Sequence, residues 1–186
     1  RGDGKAEAIL RHVSATHCSI CWRHEKMKNS YFPMFVDISR FRILVAGGGK
    51  IAERRVKTLL KFQTDVTVIA PEVTEELQKL ADAGKLILHR KMYEEKDLEQ
   101  MDLVFAATDK KEVNQTIVQD CARRGEAEQR RILVNTADDK DACDFYFPAV
   151  VQEEELVVGI NSGGADPGRT RRVRGRIEQL FREETL

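Results

Sequence analysis

The string FRILVAGGG (41–49), followed almost at once by IAERRVKTLLKF (51–62), leaves this chain few ways to fold. An apolar run stops on three glycines and passes into a segment with Ile51, Ala52, Val56, Leu59 and Leu60 at helical spacing. That reads as strand, tight turn and helix. The alternation then repeats. DVTVIAP is a β-branched run stopped by Pro71, and EVTEELQKLADAG reads as a helix closed by Gly84. Strands are expected at LILH, DLVFAAT and RILVNTA, with a helix through KEVNQTIVQDCARRG between the last two. Short strands alternating with helices require parallel pairing through right-handed crossovers. The expected fold class is α/β, a Rossmann-type doubly wound parallel sheet.

After Asp138 the rhythm changes. The apolar runs Phe145–Val151 and Leu156–Ile160, separated by QEEE, read as an antiparallel pair, and the arginine-rich segment from Pro167 reads as a helix. Three parts are expected: an N-terminal extension over 1–30, a nucleotide-binding domain over 31–142, and a small β-plus-helix dimerisation region over 143–186. The last is too small to hold a core alone. Self-pairing of one patch is the commonest way to cover such a surface, so a homodimer is expected.

Composition narrows the function classes. With 41% hydrophobic and 33% charged residues among 186, the chain is neither collagen-like, nor of low complexity, nor disordered through excess charge. No run approaches the roughly 18 apolar residues of a membrane span. The first 30 residues hold no apolar core of signal-peptide length, and four cysteines without a dense framework suit a reducing cytoplasm. The zero net charge hides a segregation. Residues 1–30 and 169–186 each carry six basic against three acidic residues, leaving 19 against 25, or −6, on the body between them. An acidic body disfavours a nucleic-acid partner, whereas the basic end suits a small polyanion.

Gly47-Gly48-Gly49-Lys50-Ile51-Ala52 fits G-x-G-x-x-A between strand and helix. Gly47 allows the tight turn, Gly49 lets a pyrophosphate reach the backbone, and Ala52 permits close packing, while the helix start supplies free N–H groups. The acid that usually holds the ribose hydroxyls is displaced past Pro71 to Glu72. No clamp for a 2′-phosphate stands nearby in sequence, which favours NAD over NADP. Thr108 and Asp138 close the fourth and fifth strands on the edge where such sheets bind ligands. A carboxylate there suits proton transfer beside a nicotinamide, although Asp138-Asp139 is also ordinary turn chemistry.

Six arginines between Arg169 and Arg182, Arg169, Arg171 and Arg172 foremost, follow the loop Ser162-Gly163-Gly164. The loop offers backbone N–H groups to an anion and the guanidinium groups suit carboxylates, though a solvated helix face is the plainer alternative. His17, Cys18, Cys21 and His24 are metal-ligand types, but no second pair follows to close a set, so no metal site is expected. Tyr-x-x-x-Lys and the P-loop string are absent, which removes short-chain dehydrogenases and P-loop NTPases.

Together the strings YFPMFVDIS, ILVAGGGKIAERRVKTLL, VTVIAPEV, FAATDKKEVNQ, VNTADD, FPAVV and VGINSGGADP run in order over residues 31 to about 180. In them the chain resembles the precorrin-2 dehydrogenase/sirohydrochlorin ferrochelatase family, including the N-terminal half of bifunctional sirohaem synthases. The resemblance implies a Rossmann domain, a dimerisation region and a helical tail. It also implies NAD-dependent oxidation of the tetrapyrrole precorrin-2 to sirohydrochlorin, with insertion of Fe2+ as substrate in some members. By the same resemblance Lys50, Ile51, Pro71 and Glu72 contact NAD, Asp138 is the catalytic aspartate, and Ser162 lies in the tetrapyrrole cleft. Asp166 stands where a small polar residue is commoner in that family. The competing class is a non-catalytic module that senses NAD or NADH.

Overall fold

The two glycine-terminated and proline-terminated runs become neighbouring strands of one sheet. In a computed structural model, described over residues 32–62 and 64–184, five parallel strands lie in the order β3-β2-β1-β4-β5. They are β1 (Arg42–Ala46), β2 (Asp65–Ile69), β3 (Ile87–His89), β4 (Leu103–Ala106) and β5 (Leu133–Thr136). The order reverses direction between β1 and β4, which is the doubly wound arrangement expected. The 1–30 extension, with its histidines and cysteines, lies outside the described residues. From Met34 onward the chain forms one compact unit. Among the described residues no helix is long and apolar enough to cross a membrane.

Side chains alternate across the sheet, so each strand feeds two cores. Ile43, Val45, Val66, Val68 and Phe105 face Val56 and Leu59 of α1 (Lys50–Leu59) and Leu77 of α2 (Glu75–Asp82). Leu44, Ala46, Val104, Ala106 and Val134 face Ile117 and Cys121 of α3 (Lys111–Ala127). Burial of each large apolar side chain stabilises the fold by roughly 1.5–3 kcal/mol.

Three boundaries differ from expectation, each through a tertiary contact. α2 starts at Glu75 rather than near Glu72, because the Thr74 N–H donates to the Gly48 carbonyl (2.9 Å) while the Thr74 hydroxyl accepts the Leu77 N–H. α3 runs two residues past Gly125, which instead lets the following turn approach: a Cβ there would stand 2.8 Å from the Arg130 carbonyl oxygen. The first strand of the small sheet, β6 (Ala149–Glu153), begins four residues after Phe145. Phe145 and Phe147 turn back into the large core and meet the Phe105 ring edge-on, at 5.7 and 5.3 Å between centroids. β6 pairs antiparallel with β7 (Leu156–Ile160), and only Glu154 and Glu155 of the expected QEEE spacer form the turn. Glu154 takes φ 47°, the positive value that two-residue hairpins require. α4 (Pro167–Glu184) packs on β6 and β7. Asp166 caps it by accepting the Arg169 N–H (2.7 Å), and Pro167 follows as its first residue, which accounts for an aspartate at that position.

Candidate active site

The strand ends at the order reversal converge on the glycine loop. Gly47 leaves β1 with φ 127°, and a Cβ on it would stand 2.2 Å from the Ala107 carbonyl oxygen after β4. Only glycine satisfies both demands. Gly48 is equally constrained: a Cβ would meet the Glu72 carbonyl oxygen at 2.0 Å and Val73 Cγ1 at 2.8 Å. Its role is missing from the motif reading, which leaves that position open. Gly49, by contrast, has nothing within 4 Å of its missing Cβ and sits exposed as the N-cap of the ten-residue α1. Open space over unpaired helix-start N–H groups fits a pyrophosphate. Ala52 is buried, whereas Lys50 and Ile51 are exposed beside the loop. Lys50 is drawn to Glu53 (3.0 Å), whose carboxyl Lys50, Lys57 and Thr74 hold down at about 2.

Pro71 and Glu72 form the loop after β2 that leans on Gly48. On the other side, Thr108 follows β4 and Asp138 follows β5. Asn114 of α3 links them. It is 2% exposed, its Oδ1 accepts both the Thr108 N–H (3.1 Å) and hydroxyl (2.8 Å), and its Nδ2 donates to the Thr108 carbonyl (3.2 Å). Burial raises the Asp138 carboxyl, but hydrogen bonds from Thr136 and Asn114, and the charge of Lys111, bring it net below the ordinary carboxylate range. Asp138 is therefore an ionised base, not an acid, at neutral pH. Asn114 escaped the sequence reading. Its signal is a polar residue, Asn114, at the head of a helical stripe that continues with Ile117 and Cys121.

The strand bearing Asp138 is anchored from behind. Arg55 of α1 is buried, with its guanidinium 5.2 Å from the Phe105 ring centre and 5.9 Å from that of Phe147. Burial lowers it to about 10, which leaves it charged at neutral pH. Asn135 donates to the Phe145 carbonyl (2.7 Å), and the Cys143 thiol lies 3.3 Å from both N and O of Thr136.

The remaining expected residues belong to other elements. Ser162, Gly163, Gly164, Arg169, Arg171 and Arg172 belong to the loop before α4 and to its first turns. Among the described residues no hydrogen bond or ion pair joins these arginines to Asp138. The loop also differs from expectation as an anion cradle. The Gly163 N–H donates to Asn161 Oδ1 (2.9 Å), that of Ala165 to the Ser162 carbonyl (3.1 Å) and that of Asp166 to Ser162 Oγ (3.3 Å). Those N–H groups are spent within the turn, whose two glycines have φ 63° and 75°. The Ser162 hydroxyl proton and the Arg169 and Arg171 side chains remain for a ligand, while the Arg172 guanidinium lies 4.0 Å from the Asp166 carboxylate.

Residues 34–149 match a family model described as "Putative NAD(P)-binding". The siroheme synthase of Pseudoalteromonas atlantica is 37% identical over 151 residues, covering 81% of this chain and 31% of that protein. A protein of Ruminiclostridium josui, "Probable multifunctional siroheme biosynthesis protein HemA", is 42% identical over 136 residues, 73% of this chain and 25% of that one. The chain thus spans about a third or less of the length of these relatives. Among solved structures, "SirC, precorrin-2 dehydrogenase" superposes with a TM-score of 0.65 at 28% identity, covering 81% of this chain and 71% of SirC. With the model matched from before β1 to the start of β6, the chain belongs to this NAD(P)-binding family, that of precorrin-2 dehydrogenase and the N-terminal part of siroheme synthases.

Proposed function

We propose that this chain oxidises precorrin-2 to sirohydrochlorin with NAD as the electron acceptor, and that Asp138 is its catalytic base. The observation that carries this reading is the ionised Asp138 carboxylate at the β5 end, on the same sheet edge as the open face of Gly49. NAD, when bound, accepts the hydride. The chain's residues do the rest: Gly47, Gly49 and Ala52 shape the nucleotide seat, with Lys50, Ile51, Pro71, Glu72 and Thr108 around it. Asp138 Oδ takes the proton released as the substrate C–H bond breaks, while Asn114 and Thr136 hold the carboxylate in its acceptor state. One hydride and one proton leave precorrin-2, giving sirohydrochlorin, NADH and a proton. The Ser162 hydroxyl with Arg169, Arg171 and Arg172 makes the substrate side of the cleft, Gly163 and Gly164 shaping the turn that presents them, and suits a tetrapyrrole with eight carboxylates. Two copies pair through residues 143–186, and the cytoplasm is the compartment for such chemistry.

The test is NADH absorbance on mixing the chain, NAD and precorrin-2. Asp138→Ala is expected to slow turnover by roughly 10²–10⁴-fold. Because Asp138 titrates below the ordinary range, its ionisation leaves the rate flat across neutral pH and lowers it only as the pH falls through that depressed value. Wild-type turnover in Asp138→Ala overturns the assignment; NAD binding without any NADH production favours the sensing module. Adding ferrous iron as substrate to the same mixture reads a chelatase step through sirohaem formation.

A further inference from the structure

We infer that Arg90 forms a subsite for a 2′-phosphate beside the adenosine ribose, so that the chain takes NADP as well as NAD. The inference rests on the nucleotide reading of the glycine loop. Strand pairing sets the position. β2 and β3 run parallel with Ile69 opposite His89, and the Ala70 N–H donates to the His89 carbonyl at 3.2 Å. The residues after both strands therefore leave the sheet side by side. Arg90 arrives at the loop where this fold places its ribose-recognising group, and where an arginine accommodates a 2′-phosphate.

The guanidinium is held there by neutral partners. Arg90 Nη2 donates to Gln78 Oε1 at 2.7 Å and Nη1 to the Pro71 carbonyl at 3.5 Å. Gln78 is oriented in turn, because its Nε2 donates to Asp82 Oδ1 at 2.7 Å. Arg90 is exposed, and among the described residues it forms no ion pair. Lysines on the neighbouring elements are already committed: Lys57 to Glu53 and Glu76, Lys79 to Glu75 and Glu76, and Lys91 to Asp97 and Glu94. A planar guanidinium fixed at its edge, with charge uncompensated and further N–H groups facing solvent, matches a phosphate. Glu72, in the same loop, acts the other way: its carboxylate suits ribose hydroxyls and repels a phosphate. The balance is a preference for NAD that Arg90 keeps shallow.

Isothermal titration of the intact chain with NAD and with NADP tests this. The wild type is expected to bind both. Arg90→Ala is expected to raise the ratio Kd(NADP)/Kd(NAD) about tenfold, the scale of one partly exposed charged hydrogen-bond pair. Glu72→Gln is expected to lower that ratio. A ratio that Arg90→Ala leaves in place, or a wild type that binds NAD and no NADP, overturns the subsite. Absence of NAD binding by the wild type fails the nucleotide reading itself, a separate outcome from either.

Discussion

At Gly48 a single hydrogen atom decides whether two loops fit. The Glu72 carbonyl oxygen occupies the space that any side chain would need. Gly48→Ala is therefore expected to lose about 1–3 kcal/mol of stability in a denaturant titration, as overpacked sites do. Gly49→Ala meets no such wall, since nothing lies within 4 Å of its Cβ position. Its stability is expected to fall by no more than about 1 kcal/mol, the cost of replacing a tolerated glycine N-cap by the poorer alanine. NAD affinity is where that variant should suffer. If Gly48→Ala melted like the wild type, or Gly49→Ala bound NAD as tightly, the division of labour between the two glycines would be wrong. All three glycines look alike in the string GGG; their surroundings make them different.

Among the elements, β5 is the edge strand that leads into Asp138, and an edge presents unpaired backbone groups. The segment after it supplies the missing partner without being a strand. Asp144 Oδ2 accepts the Val134 N–H and the Asp144 N–H donates to the Val134 carbonyl, both at 2.9 Å, while Oδ1 lies 2.5 Å from Arg131 Nη2. Asp144→Ala strands the Val134 N–H in a largely buried place. A loss of about 1–3 kcal/mol is expected, with Asp144→Asn, which keeps an acceptor, recovering most of it. Chemical denaturation of the pair of variants checks this, and equal losses in both would show that charge rather than the edge contact matters. Turnover should fall alongside, since Asp138 hangs from the same strand.

For the whole molecule the open question of surface lies at residues 143–186. A two-stranded ribbon under one helix leaves Leu156 60% and Leu180 51% exposed. Apolar area of that kind on a small sheet is what self-pairing covers. Wild-type sedimentation at micromolar concentration should give a dimer, and Leu156→Asp with Leu180→Asp should give a monomer. Replacing Arg169, Arg171 and Arg172 together by Ala should raise KM for precorrin-2, because each exposed contact is worth only about 0–1 kcal/mol and several must act together. A monomeric wild type, or equal loss of NAD and precorrin-2 affinity in the triple variant, would refute the shared cleft.

The alternation of strands and helices, the tight glycine turn at Gly47 and a carboxylate at Asp138 just past a strand end are legible in the linear string, because periodicity and turn chemistry act over a few residues. What the string withholds are contacts between elements. The start of α2 depends on Gly48, 26 positions before Thr74, and the start of β6 depends on Phe105 drawing Phe145 and Phe147 inward. Asn114 becomes part of the site only when α3 lays it between the ends of β4 and β5. Arg90 reaches the loop after β2, 19 residues from Pro71, only because β2 and β3 pair in register. Local propensity selects each element, but close approach and hydrogen bonding across the sheet edge are fixed by packing, and packing exists only in the folded chain.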